Sequence, residues 1–152
     1  MLCRVARNLP LLILTFLGSA ATGRAATEPP AVVHVDLMDP STGPSFKGMM
    51  IKADQQSVKA GPVTFVVSNV SRDLVHEMIV VSVDKPGEPL PYDKNEGRVD
   101  ESKIKDLGEA SDLKPGEKQT VQLTLKPGAY DLKCNQPNHH MSGMRTKLIV
   151  TP

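Results

Sequence analysis

The chain has no tryptophan, and its aromatic side chains are three phenylalanines and two tyrosines among 152 residues. Any core it builds must be mostly aliphatic, which a β-sandwich tolerates. Long apolar runs are also missing. The longest, Leu9 to Leu17, falls short of the ~20 residues that cross a bilayer as a helix, so a membrane anchor is not expected. No basic patch occurs, because the lysines are scattered among carboxylates, and this argues against nucleic acid as a partner. There is no internal repeat and no low-complexity tract.

What stands at the start is a targeting pattern. Arg4 and Arg7 precede the apolar run, and small residues follow it, the order of a secretory signal peptide. Residues 1–25 are expected to be the signal, with cleavage after Ala25 in preference to Ala21, and residues 26–30 to be a flexible lead. Cys3 lies ahead of the apolar run, where a lipid-anchor cysteine would not be. The mature protein is expected in the periplasm, as a monomer. Removal of Arg4, Arg7 and Arg24 leaves 15 of the 18 basic residues against 17 acidic ones, a mildly acidic chain. The remaining length suits one domain, residues 31–152.

Cysteine is the scarcest reactive residue. With Cys3 removed, Cys134 is the only thiol, so no internal disulfide can form. A lone cysteine in an oxidising compartment is vulnerable unless something occupies it. Metal ligation, a nucleophilic role and burial as a small apolar residue are the three readings.

Short valine-rich segments separated by Gly, Pro, Asn and Asp read as strands. They are Val32 to Leu37, Met49 to Ala53, Val63 to Asn69, His76 to Val83, Lys118 to Leu125, Ala129 to Cys134 and Thr146 to Val150. In "KQTVQLTLKPGAYDLKC" Val121, Leu123 and Leu125 alternate with polar residues, the period of a half-buried strand. The turn "LKPGAY" then makes these two strands an expected hairpin. Residues 84–116 break the pattern with charge, Pro and Gly, and are expected to form a solvated surface insertion with a helical turn near Glu101 to Leu107. Together these predict an all-β fold, a Greek-key two-sheet β-sandwich with one long charged insertion.

The stretch "KCNQPNHHMSGM" holds the chemistry. Cys134 is followed five residues on by His139 and five further by Met144, so one loop between two strands could wrap all three donors about a point. Thiolate and thioether sulfur suit Cu(I), imidazole suits Cu(II) as well, and two histidines and a cysteine with a weak axial methionine make the blue-copper electron-transfer pattern. A second histidine is needed from His34, His76 and His140. His76 is favoured, because "RDLVHEMIVV" places it at the opening of a strand that can lie at the same end of a sandwich as the Cys134 loop. His140 is disfavoured, since adjacent residues on a tight loop rarely turn to one ion.

With "GPVTFVVSN" leading to "HEM", and then "KPGAYDLKCNQPNHHMSGMRTKLIV", the chain resembles the cupredoxins, the type 1 blue copper family of plastocyanin, azurin and auracyanin. The resemblance implies His76 and His139 as nitrogen ligands, Cys134 as thiolate, Met144 as axial ligand and one Cu(I)/Cu(II) ion as cofactor. It implies a one-electron carrier that is not itself an enzyme, with a redox partner protein. The alternative is a periplasmic copper tolerance, buffering or delivery protein that meets a copper-trafficking protein. Two departures stand out: Asn138 replaces the glycine the family often has before its second histidine, and His140 and Met141 stand where an apolar patch is common.

Other readings fit fewer residues. A cysteine nucleophile with a histidine base leaves Met144 unexplained, and a zinc site seldom uses methionine. Met49 and Met50 in "FKGMMIKA", with His34, could supply secondary copper contacts, as could His140 and Met141, although methionines are more often core filler.

Overall fold

The computed structural model describes residues 29–43 and 47–152. The expected signal peptide and most of the lead lie outside the described residues. The strands are β1 (Ala31–Met38), β2 (Met50–Ala53), β3 (Ser57–Lys59), β4 (Gly61–Asn69), β5 (His76–Val83), β6 (Tyr92–Asp93), β7 (Arg98–Val99), β8 (Lys105–Leu113), β9 (Lys118–Leu125), β10 (Gly128–Lys133) and β11 (Arg145–Thr151). The seven expected strands agree with β1, β2, β4, β5, β9, β10 and β11 to within two residues at each end.

Two sheets face each other in a β-sandwich. One has the order β2-β1-β4-β9 and the other β3-β11-β10-β5-β8. Both are mixed: β1 runs parallel to β4 and β3 parallel to β11, while the other pairs within the two sheets are antiparallel. Strand alternation turns Val33, Val35, Leu37, Phe65 and Val67 inward from the first sheet, against Met78, Val80, Leu132, Leu148 and Val150 from the second. Phe65 is fully buried, and burying a side chain of that kind stabilises the fold by about 1.5–3 kcal/mol.

The expected hairpin of β9 and β10 does not form. β9 pairs with β4 in the first sheet, whereas β10 pairs with β5 and β11 in the second. The turn carries the chain from one sheet to the other, and the Tyr130 hydroxyl pins it by donating to the Lys126 carbonyl at 2.7 Å, the tyrosine corner of sandwich folds. Alternation cannot separate the two cases, because both strands line the same core from opposite sides.

The charged insertion is also more structured than its composition suggests. Its last part is β8, which pairs with β5 and buries Ala110 and Leu113. The helical turn is a short 3-10 segment, Glu101–Lys103, and strand resumes at Lys105. β8 passes close to β9, a Cβ at Gly108 standing 2.9 Å from the Leu123 Cδ2 methyl, and Gly108 has φ +147°, a backbone conformation that favours glycine. Leu90 and Ile104 pack with Ala129 on Ile79, Val81 and Val83, the outward side of β5. Covered on both faces, β5 reads as the nearly unbroken apolar run "MIVVSV". Part of the insertion is therefore a cover for the second sheet and not a solvated excursion.

Candidate metal centre

At one end of the sandwich the donor atoms of His76, Cys134 and His139 all lie within 4.8 Å of one another. His76 Nδ1 is 3.2 Å from His139 Nδ1, and His139 Nδ1 is 3.5 Å from Cys134 Sγ. First-row metals bind imidazole nitrogen at about 2.0–2.1 Å, so two nitrogens on one ion at open angles stand roughly 3.3–3.6 Å apart. The observed spacings are close to that, and a soft thiolate with two imidazoles is a copper donor set. The three residues fit one type 1 copper ion.

His76 opens β5, and the loop before it is tied by Asn69. The buried Asn69 amide donates to the carbonyls of Leu74 and Leu113, both at 2.8 Å, and its oxygen accepts from the Ser71 amide at 3.0 Å and hydroxyl at 2.7 Å. On the far side of the ring, His76 Nε2 lies 3.0 Å from Asp39 Oδ2, with both side chains buried. An ionised carboxylate only accepts hydrogen bonds. Nε2 therefore carries the proton, and Nδ1 offers its lone pair toward Cys134 and His139. Burial would raise the Asp39 pKa, but the Ser41 hydroxyl and amide, with His76, outweigh it and hold the group below its ordinary value.

Cys134 follows β10 directly. Its amide donates to the Met144 carbonyl, and the Met144 amide donates to the His139 carbonyl, both at 3.0 Å. These two bonds close the loop from Cys134 to Met144 on itself. Asn138, just before His139, has φ +66°, a left-handed conformation that asparagine tolerates better than most residues. Its amide donates to the Gly97 carbonyl at 2.7 Å. Asparagine therefore meets the backbone demand that glycine would meet at this position, and the β6–β7 turn buttresses the loop. Met144 is fully buried in the same apolar cluster as Cys134.

The surroundings favour neutral donors. Burial lowers the pKa of His76, and burial together with the nearby His76 lowers that of His139. Burial pushes the Cys134 thiol up to about 11, so a metal must displace its proton on binding.

The remaining sequence candidates do not join this cluster. His140 is buried but stacks on Tyr92, with ring centroids 6.3 Å apart, and its Nδ1 has no hydrogen-bond partner among the described residues. Burial, then the charges of Arg145 and Lys133, lower its pKa to about 4. Met141 is 66% exposed. His34 is exposed and lies on the outward side of β1. Met49 packs against the core, whereas Met50 is exposed and pairs with Met38. Strand alternation thus sends the adjacent methionines to opposite faces.

Sequence reasoning missed several residues that shape the site: Asp39, Glu77, Lys133 and Asn135. The buried Asn135, next to Cys134, donates its amide to Glu77 Oε1 at 2.8 Å. Its side chain bonds the Val99 amide at 2.7 Å, the Val99 carbonyl at 2.9 Å and Glu101 Oε1 at 2.6 Å. The one available signal was Asp39 before "PST", the start of a capped 3-10 turn.

A two-sheet sandwich with two imidazoles and a thiolate gathered at one end defines a small metalloprotein with a copper-type site. Residues 41–151 match the model of the copper-binding proteins of the plastocyanin/azurin family. The chain belongs to that family, the cupredoxins. Solved structures share its fold. Reduced auracyanin from the photosynthetic bacterium Roseiflexus castenholzii is 21% identical, with a TM-score of 0.54 over 82% of this chain and 98% of that one. Auracyanin A, a "blue" copper protein of the green thermophilic photosynthetic bacterium Chloroflexus aurantiacus, is 18% identical, with a TM-score of 0.55 over 81% and 100%. Rusticyanin from Thiobacillus ferrooxidans is 17% identical, with a TM-score of 0.58 over 79% and 76%. No curated protein matches the chain by sequence.

Proposed function

We propose that the protein is an exported, periplasmic one-electron carrier in which His76, Cys134 and His139 hold one copper ion and Met144 is its weak axial ligand. The observation that carries this reading is the gathering of His76 Nδ1, Cys134 Sγ and His139 Nδ1 within 4.8 Å. Bound there, copper supplies a Cu(I)/Cu(II) couple. The protein's part is to keep the donors still. Asp39 fixes the tautomer of His76, the Cys134–Met144 and Met144–His139 backbone bonds hold the loop, and Asn135 ties it to β7. A site that does not rearrange between oxidation states exchanges electrons with little reorganisation, and no substrate is transformed, so the protein is not an enzyme in this reading. The partner is a redox protein, met by a monomer of this chain. No helix among the described residues is long and apolar enough to cross a membrane.

Copper tolerance or delivery is the less supported reading: Met49 packs inward on the core, while His34 and Met50 share the outer face of the first sheet but stand far apart along it, Met50 being opposite Met38, so these three do not converge among the described residues. Redox cycling separates the two. A carrier binds one copper per chain, is bleached by one electron equivalent and recovers on reoxidation with no loss of metal. Release of the ion on reduction, or additional Cu(I) lost in Met49→Leu/Met50→Leu, contradicts the carrier reading.

A further inference from the structure

Two of the donors have a buried charged side chain next to them in the chain. Lys133 precedes Cys134, is fully buried, and its Nζ has no hydrogen-bond partner among the described residues. Glu77 follows His76 and is 7% exposed, with Oε1 accepting from the Asn135 amide at 2.8 Å. Alternation explains the placement. Met78, Val80, Leu132 and Cys134 face the sandwich core, so Glu77 and Lys133 face the opposite side of the second sheet, where Ile79 and Val81 meet the insertion. Lys133 is in register with Ile79, two residues from Glu77, which makes the two charged residues near neighbours on one face. Asn135, bonded to Glu77, Val99 and Glu101, helps fasten the insertion beside them.

Their side-chain charges act on the thiol with opposite signs: the Glu77 carboxylate disfavours its ionisation and the Lys133 ammonium favours it, while the Glu77 backbone amide, which hydrogen-bonds the sulfur whatever its side chain, also favours it. Glu101, Glu77, Cys134 and Asp106 all favour the Lys133 ammonium, against the larger effect of its burial.

We propose that Lys133 and Glu77 are opposed buried charges that set the reduction potential of the metal centre, Lys133 raising it and Glu77 lowering it. The inference rests on the reading of the site as a type 1 copper centre. In the transfer one electron passes from a reduced partner protein to the oxidised site, no bond breaks and no proton moves. The site's charge falls by one. A positive charge held in a low-dielectric surrounding favours the less positive, reduced form, and a carboxylate favours the oxidised one. Because both groups are buried, mobile ions screen them weakly. Lys133 and Glu77 act here through their side-chain charges, and it is the Glu77 backbone, unchanged in Glu77→Gln, that hydrogen-bonds the Cys134 sulfur.

The test is the midpoint potential of the copper-loaded full chain, read from its thiolate-to-copper absorption, for Lys133→Met, Glu77→Gln and the double variant. Lys133→Met keeps length and burial, and Glu77→Gln keeps the acceptor for Asn135. Lys133→Met is expected to shift the Cu(I):Cu(II) ratio at least tenfold toward Cu(II), about 59 mV downward for one electron. Glu77→Gln is expected to shift it upward, and the double variant to fall between the two. Both shifts should persist in 1 M salt, where the Debye length is about 3 Å, with the absorption bands unmoved. Shifts of the same sign, or a Lys133→Met potential within threefold of the wild-type ratio, overturn the proposal. If Lys133→Met does not fold, Glu77→Gln decides, with anything but an upward shift counting against it. A wild-type protein that shows no thiolate-to-copper band sinks the site reading itself, a different failure from an intact band with unmoved potentials.

Discussion

Asp39 Oδ2 stands 3.0 Å from His76 Nε2 in a buried pair, and this one contact decides which nitrogen of His76 is free. Partners of this kind orient a ligand and raise its basicity, and their loss typically costs 10- to 100-fold in metal affinity. Asp39→Ala also leaves the His76 Nε2–H buried without an acceptor, at a cost of about 1–3 kcal/mol. Copper competition assays should show affinity weakened by one to two orders of magnitude, and denaturant unfolding of the copper-free protein should show the stability loss.

The β9–β10 corner gives a prediction on the fold alone. Tyr130→Phe removes the hydroxyl that donates to the Lys126 carbonyl and keeps the ring, so it should cost about 0.5–1.5 kcal/mol. Urea unfolding measures that loss. The absorption of the copper-loaded protein should not change, because the corner does not belong to the donor loop.

His140 makes stability depend on pH. Its folded pKa, about 4, lies below the ordinary histidine value of 6.5, so the unfolded chain binds the proton first as pH falls. The group's contribution is complete above about pH 6.5 and is lost as the pH falls through about 4. His140→Phe cannot take that proton. Between pH 6.5 and 4 the copper-free wild type should therefore lose stability relative to His140→Phe, and parallel curves would contradict the assignment.

Asn138 predicts an ordering of substitutions. At φ +66° Asn138→Gly should be tolerated, whereas Asn138→Val should cost about 1–2 kcal/mol from the left-handed backbone alone. The valine variant should also bind copper more weakly, since His139 is the next residue. Thermal unfolding and copper affinity measured together check both.

Much of this was legible in the sequence. Alternating valines placed β1 and β4, the nearly unbroken apolar run placed β5, and the spacing from Cys134 to His139 to Met144 marked the loop. What stayed hidden had physical reasons. β8 contains Gly108 and several charges because it is an edge strand packed closely on β9, and that composition reads as loop. The β9–β10 corner looks like a hairpin because strands on opposite sides of one core share one alternation. Asp39, Glu77 and Lys133 are ordinary charged residues by type, and only burial beside His76 and Cys134 gives them their roles.

The central claim is that one copper ion sits among the thiolate of Cys134, the imidazoles of His76 and His139, and Met144. Titration of Cu(II) into the copper-free protein tests it most directly. An intense blue or green absorption should grow to saturation at one ion per chain and be absent in Cys134→Ser. A colourless complex, or colour that survives in Cys134→Ser, would contradict the account.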